Sequence, residues 1–141
     1  MLSKILVPID GSENSIRAYS YALYLSMNLT GEITLLHVAD APPTVYIQSQ
    51  KTLDELLEKY TKGRNKIFDE YQRLVEKKDI KTKTELVFGD PGKEIIKFSL
   101  KNQSDLIVMG NRGMGHLKEM FLGSVSNMVI RDTKCPVLLV K

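Results

Sequence analysis

The sequence predicts a doubly wound α/β fold: a five-stranded parallel sheet with helices on both faces. Three observations carry this expectation. Five short apolar runs, partly β-branched, recur along the chain; stretches of helical periodicity lie between them; and turn or capping residues punctuate the junctions. An unbroken apolar run reads as a strand buried on both faces. Regular alternation with helices makes each right-handed crossover lay its helix over a parallel sheet.

The first strand is Lys4–Ile9 (KILVPI), closed by the turn chemistry of Asp10-Gly11-Ser12. Ser12 is an N-cap candidate, and Glu13 suits the positive helix end. Ile16, Tyr19, Leu23 and Met27 then recur at helical spacing until Gly31. Residues 32–38 (EITLLHV) form the second strand. The Ala39-Asp40-Ala41-Pro42-Pro43 stretch after it disfavours both helix and ladder and reads as loop. Leu53, Leu57, Tyr60, Ile67, Tyr71 and Leu74 share one stripe of a long amphipathic helix, which Gly63 and Arg64 interrupt and would bend. Residues 83–88 (KTELVF) are the third strand. Gly89-Asp90-Pro91 then supplies a turn, an N-cap and a first-turn proline for a helix carrying Ile95, Ile96 and Leu100. Residues 105–109 (DLIVM) are the fourth strand, residues 124–131 a short helix, and residues 136–140 (PVLLV) the fifth strand. Periodicity leaves the strand order open. Ligands of such sheets bind beyond the carboxyl ends of the strands at a switch point, and two strand ends stand out: Asp10-Gly11-Ser12 and the glycine-rich stretch after the fourth strand.

Composition narrows the function classes. A chain of 141 residues suits one domain, residues 1–141, and 43% apolar with 26% charged residues is the balance of a soluble globular protein. No run approaches the ~18 apolar residues of a membrane span. The N-terminal Met-Leu-Ser-Lys leads straight into the first strand without a leader pattern, and the lone Cys135 has no disulfide partner, so a cytoplasmic, reducing location is expected. Cys135 reads as a small buried residue. The net charge of +3 is dispersed, which points away from nucleic acid.

After the fourth strand the chain reads Gly110-Asn111-Arg112-Gly113-Met114-Gly115-His116, then six residues, then Gly123-Ser124-Val125-Ser126 at the start of a helix. Binding a polyphosphate needs backbone N–H groups within reach and no Cβ in the way, which glycine permits. A helix start adds free N–H groups and a positive end, and two serine hydroxyls add donors. The two clusters are thus expected to clasp one phosphate chain. Neither familiar alternative fits. A Walker A loop ending at Gly92-Lys93 would have Val87 for its first glycine and Glu94 for its hydroxyl residue; a dinucleotide fingerprint at Gly113-x-Gly115 would have Lys118 for its third glycine.

The spacing Gly110-x2-Gly113-x9-Gly123-Ser124 resembles the ATP-binding signature of the universal stress protein family. The first-strand Val7-Pro8-Ile9-Asp10-Gly11-Ser12 and the C-terminal Cys135-Pro136-Val137-Leu138-Leu139-Val140 are similar to that family as well, so the resemblance spans the chain. It implies strand order 3-2-1-4-5. It also implies an ATP site in which Pro8 and Asp10 line the adenosine part and the backbone of Val38 meets the adenine edge. Met109 would also contact the ligand; Gly110, Arg112, Gly113, Gly115 and His116 would lie on one side of the phosphates, and Gly123, Ser124, Val125 and Ser126 on the other, with Mg or Mn bound through the phosphates. A homodimer through the C-terminal strand and an unidentified protein partner are implied too, with no catalytic residue assigned. The residues themselves leave plainer roles open: Asp10 as a turn cap, Arg112 and Lys118 as solvated charges, His116 in solvent, His37 as a hydrogen-bonded core residue. Competing functions are a slow ATPase, an ATP pyrophosphatase or nucleotidylyl transferase, whose first-strand motifs are missing, and a module acting through protein contacts without ATP. A receiver-like domain would need paired acids after the first strand, where Asp10 stands alone.

Overall fold

The computed structural model describes residues 2–40, 50–75, 79–113 and 122–141, with the backbone alone at positions 50–53, 56, 57 and 64. Strands β1 (Lys4–Ile9), β2 (Glu32–Ala39), β3 (Thr82–Phe88), β4 (Leu106–Gly110) and β5 (Val137–Val140) alternate with helices α1 (Glu13–Leu29), α2 (Gln50–Arg73), α3 (Pro91–Lys101) and α4 (Ser124–Asp132). All pairings are parallel, in the order β3-β2-β1-β4-β5. The expected architecture is the observed one.

The side-chain period of two explains how the sheet is covered. In β1, Ile5, Val7 and Ile9 face one core and Leu6 the other; in β4, Leu106 and Val108 face the first and Ile107 and Met109 the second. The first core is closed by Tyr19 and Leu23 of α1 with Phe68 and Tyr71 of α2, the second by Ile95 of α3 and Val129 of α4. Continuous apolar strands therefore belong to the centre of the sheet. Edge strands differ: β3 alternates half-buried with exposed positions, and β5 leaves Leu138 exposed. The expectation of five strands buried on both faces holds for most of β1 and for β4; β2 is buried at Ile33, Leu35 and Leu36 and half-buried at its carboxyl end, and the edge strands β3 and β5 depart from it furthest.

Helix faces show similar departures. On α1, Tyr19 and Leu23 are buried, yet Met27 is exposed and the buried stripe is completed by Ser15, Ala18, Ala22 and Ser26. Small residues let the helix lie close to the sheet. Thr30, in the left-handed region at φ 53°, ends this helix ahead of Gly31. On α3, Ile95 is buried while Leu100 is exposed. Helix α2 runs unbroken through Gly63 and Arg64, so no interruption occurs there, and Leu74 falls beyond its end and is exposed. The side chains of Leu53 and Leu57 and the segment 41–49 lie outside the described residues.

Candidate functional site

The order 2-1-4 makes β1 and β4 neighbours whose crossovers leave on opposite faces, which opens a crevice at their carboxyl ends. A cavity of about 290 Å³ occupies it, lined by Pro8, Ile9, Asp10, Ser15, Leu36, Val38, Pro91, Ile95, Met109, Gly110, Arg112, Gly113, Leu122, Gly123, Ser124, Val125 and Ser126. The sequence singles out thirteen candidate ligand residues, of which Gly115 and His116 lie outside the described residues; the other eleven all line this one cavity. Residues from four separate segments converge at the switch point.

One wall is the turn after β1. Gly11 adopts φ +83°, where a side chain would be strained. Asp10 Oδ1 accepts from the Ser12 N–H at 2.9 Å, and the Ser12 hydroxyl in turn accepts from the Ser15 N–H at 3.2 Å and caps α1. Asp10 thus fills its turn-capping role while its other oxygen, Oδ2, reaches toward the glycine loop: a Cβ added at Gly113 would stand 2.7 Å from it. Val38 lies one residue beyond the last β1–β2 pair, Ile9 with His37. His37 turns away from catalysis, with Nδ1 3.0 Å from the Ile9 carbonyl oxygen and its ring edge-on to Phe68.

The opposite wall is the glycine loop, whose two described ends meet. Gly123 N–H donates to the Asn111 carbonyl at 2.7 Å, and a Cβ on Gly123 would lie 3.4 Å from Arg112 Cα. Asn111 is tied on its other side to α1 by the Asn14 amide, at 3.2 Å. Gly110 is buried in β4 against α1, and a Cβ there would sit 2.8 Å from Asn14 Cβ. Strand-to-helix packing therefore accounts for Gly110, although it also borders the cavity.

Helix α4 starts at this wall with Gly123 as N-cap and no side-chain cap bond, whereas α1 is capped by Ser12 and α3 by Asp90, which accepts from Lys93 N–H at 3.0 Å. The first-turn N–H groups of α4, from Ser124 onward, border the cavity, and the positive helix end favours an anion there. Ser124 is an exposed residue of this wall. Ser126 does not act as expected: its buried hydroxyl donates to the Gly110 carbonyl at 2.9 Å, so its proton joins α4 to β4 and is not offered to a ligand.

Six lining positions went unnoticed as ligand candidates in the sequence: Ile9, Ser15, Leu36, Pro91, Ile95 and Leu122. Leu36 and Ile95 read as core, which they also are, and Pro91 as a helix start. Ser15 carried a signal, a hydroxyl three residues after an N-cap on the buried face of α1. Among the described lining residues the charged side chains are Asp10 and Arg112.

A family model described as the universal stress protein family matches residues 1–141. The chain is 35% identical to universal stress protein YxiE of Bacillus subtilis, with both chains fully covered. It is 32% identical to universal stress protein MJ0531 of Methanocaldococcus jannaschii, over all of this chain and 83% of that one. The solved structure of MJ0577 from the same organism superposes with a TM-score of 0.84 at 34% identity, covering 100% of this chain and 96% of the other. At the level of fold alone, neighbours include a universal stress protein in complex with cAMP at 21% identity and one from Archaeoglobus fulgidus in complex with dAMP at 18%.

Proposed function

This chain belongs to the universal stress protein family, and we propose that it binds an adenine nucleotide, ATP foremost, in the cavity between β1 and β4. One observation carries the reading: Asp10, the start of α4 with no side-chain cap, and the apolar side chains of Leu36, Val38, Ile95 and Met109 line a single cavity. A nucleotide has the matching set of parts: an apolar, flat base suits the apolar side chains, sugar hydroxyls suit a carboxylate, and phosphates suit backbone N–H groups at a helix start. Two neighbours of this fold were solved in complex with cAMP and with dAMP, ligands of the class proposed here.

Binding is the activity supported, with hydrolysis slow or dependent on a partner. Fast phosphoryl transfer needs an oriented water and strong cationic stabilisation of the γ-phosphoryl oxygens. Arg112 is the single cationic side chain among the described lining residues, and it is exposed. Among the described residues no group of three or more His, Cys, Asp and Glu side chains converges, so Mg or Mn would be held through the phosphates of the ligand instead of in a protein cage. The role that follows is a nucleotide-dependent switch in a stress response, in the cytoplasm; among the described residues no helix is long and apolar enough to cross a membrane.

The test is direct. Mass spectrometry of small molecules released from the purified, denatured protein, with equilibrium dialysis against ATP, should find an adenine nucleotide and micromolar binding. Absence of both a released adenine nucleotide and ATP binding at hundreds of micromolar would overturn the reading.

A further inference from the structure

Tyr71 belongs to α2 and does not line the cavity, yet it is fully buried with its hydroxyl among the groups that shape the cavity wall. The three successive N–H groups after β1 each have a side-chain acceptor: Asp10 N–H donates to Ser15 Oγ at 3.3 Å, Gly11 N–H to the Tyr71 hydroxyl at 3.1 Å, and Ser12 N–H to Asp10 Oδ1 at 2.9 Å. Ser15 Oγ and the Tyr71 hydroxyl lie 2.8 Å apart, and either could donate. Proton accounting decides between them.

If Ser15 donated, the Tyr71 oxygen would accept twice, from Ser15 and from Gly11, and its own proton would have no acceptor among the described residues at a position of 0% exposure. An unpaired buried donor costs roughly 1 to 3 kcal/mol. If Tyr71 donates, its oxygen accepts from Gly11 and its proton goes to Ser15, while Ser15 Oγ accepts from both Tyr71 and Asp10 N–H. One proton is again left without a partner among the described protein groups, but it now lies at the cavity wall, where a ligand oxygen can accept it, instead of in the sealed core. It is the Ser15 hydroxyl proton, on a side chain 3% exposed that lines the cavity beside Asp10.

We infer that Tyr71 is a positioning residue for the cavity: by donating to Ser15 it frees the Ser15 proton for an acceptor oxygen of the bound ligand, and by accepting from Gly11 it fixes the turn that carries Asp10. The inference rests on the nucleotide reading of the cavity and adds to it a donor, Ser15, next to the carboxylate acceptor of Asp10. A ligand oxygen with both donor and acceptor character, as in a sugar hydroxyl, is what such a pair recognises.

Calorimetric titration with ATP, well below the unfolding temperature, of the unmodified protein, Ser15→Ala, Tyr71→Phe and the double variant tests it, with circular dichroism confirming that each is folded. Each single change should weaken binding about fivefold to tenfold, the worth of one hydrogen bond. The double variant should bind little worse than Ser15→Ala, because Tyr71 acts on the ligand mainly through Ser15. A packing role alone would lower thermal stability and leave the affinity of the folded protein unchanged. Unchanged affinity in either single variant, or losses that multiply in the double variant, overturns the inference while the nucleotide site stands. No ATP binding by the unmodified protein overturns both.

Discussion

Replacing Gly113 with alanine separates what the protein demands of the glycine loop from what a ligand demands. The added Cβ would stand 2.7 Å from Asp10 Oδ2, about 0.7 Å inside the 3.4 Å at which ordinary contact begins, and the next atom in its way, Asp10 Cγ, is already at 3.9 Å. Gly113 does not have a positive φ, so the backbone accepts alanine and the whole cost falls on Asp10. Its carboxylate is held by the Ser12 N–H at 2.9 Å and must turn or withdraw to make room. Losing that bond costs about 1 kcal/mol, a fall in Tm of about 4 °C for a chain of this size.

Asp10→Ala removes the atom that clashes. Gly113→Ala should then cost nothing further in stability, giving a coupling of about 1 kcal/mol in a double-mutant cycle read by urea unfolding. ATP affinity is read alongside. Gly113→Ala alone should weaken binding about tenfold, since it displaces a sugar-side acceptor and narrows the phosphate approach. Any loss that persists when alanine is introduced into the Asp10→Ala background is the part the ligand imposes. Equal stability costs of Gly113→Ala in the two backgrounds would refute the contact between Asp10 and residue 113 on which this reasoning depends.

Three further outcomes follow from other parts of the fold. Three hydrogen bonds to Asp105 Oδ2, from Ser3 N–H, the Ser3 hydroxyl and Lys4 N–H, hold its carboxyl below the ordinary aspartate range. The stability this gives is present above the unfolded-state pKa and is lost as pH falls through the folded one, so Asp105→Asn should flatten the decline of stability between about pH 5 and pH 2, as followed by urea midpoints. Burial raises the Cys135 thiol, and nearby Asp105 adds to this; its Sγ also donates to the Ser104 carbonyl at 3.1 Å, so a disulfide reagent at pH 7.5 should modify it at least tenfold more slowly in the folded protein than in urea. Strand β5 ends the sheet with Leu138 exposed, and we propose homodimer formation along it; light scattering should give a dimer at tens of micromolar that Leu138→Lys shifts toward monomer.

The central strands were legible because their chemistry is unambiguous. A run such as Leu106-Ile107-Val108-Met109 has no polar face, so only a place with cover on both sides satisfies it, and the structure buries all four. Burial on the helices was read less well. Met27 and Leu100 fit a helical stripe by letter and end exposed, while Ser15, Ser26 and Ser99 are buried. A periodicity argument gives weight to size and hydrophobicity, whereas close helix–sheet contact favours small side chains whose hydroxyls find local partners: Ser26 with the Gly31 carbonyl, Ser99 with that of Ile96. The strand order needed the resemblance to a family, since the letters carry no record of which strand lies beside which.

The glycines show where reading of the site by sequence stops. Gly110 and Gly113 look alike in the letters, and both stand where a phosphate loop would have them. Gly110 is required by α1, since Asn14 leaves no space for a Cβ; Gly113 sits directly against the Asp10 carboxylate, and Gly123 faces the chain at Arg112. A glycine in a sequence records that something approaches the backbone closely without recording whether that is a helix, a carboxylate or a ligand. Ser126 repeats the point with a hydroxyl, which looked like a ligand donor and instead ties α4 to the Gly110 carbonyl. These contacts between protein groups still serve the cavity. Packing of Gly110 against Asn14 and the bond from Ser126 hold the end of β4, the start of α1 and the start of α4 together at the cavity that Asp10 also lines. If the cavity takes a nucleotide as proposed, protein contacts order these three segments without the ligand's help, which would let a site with few charged side chains hold a highly charged ligand.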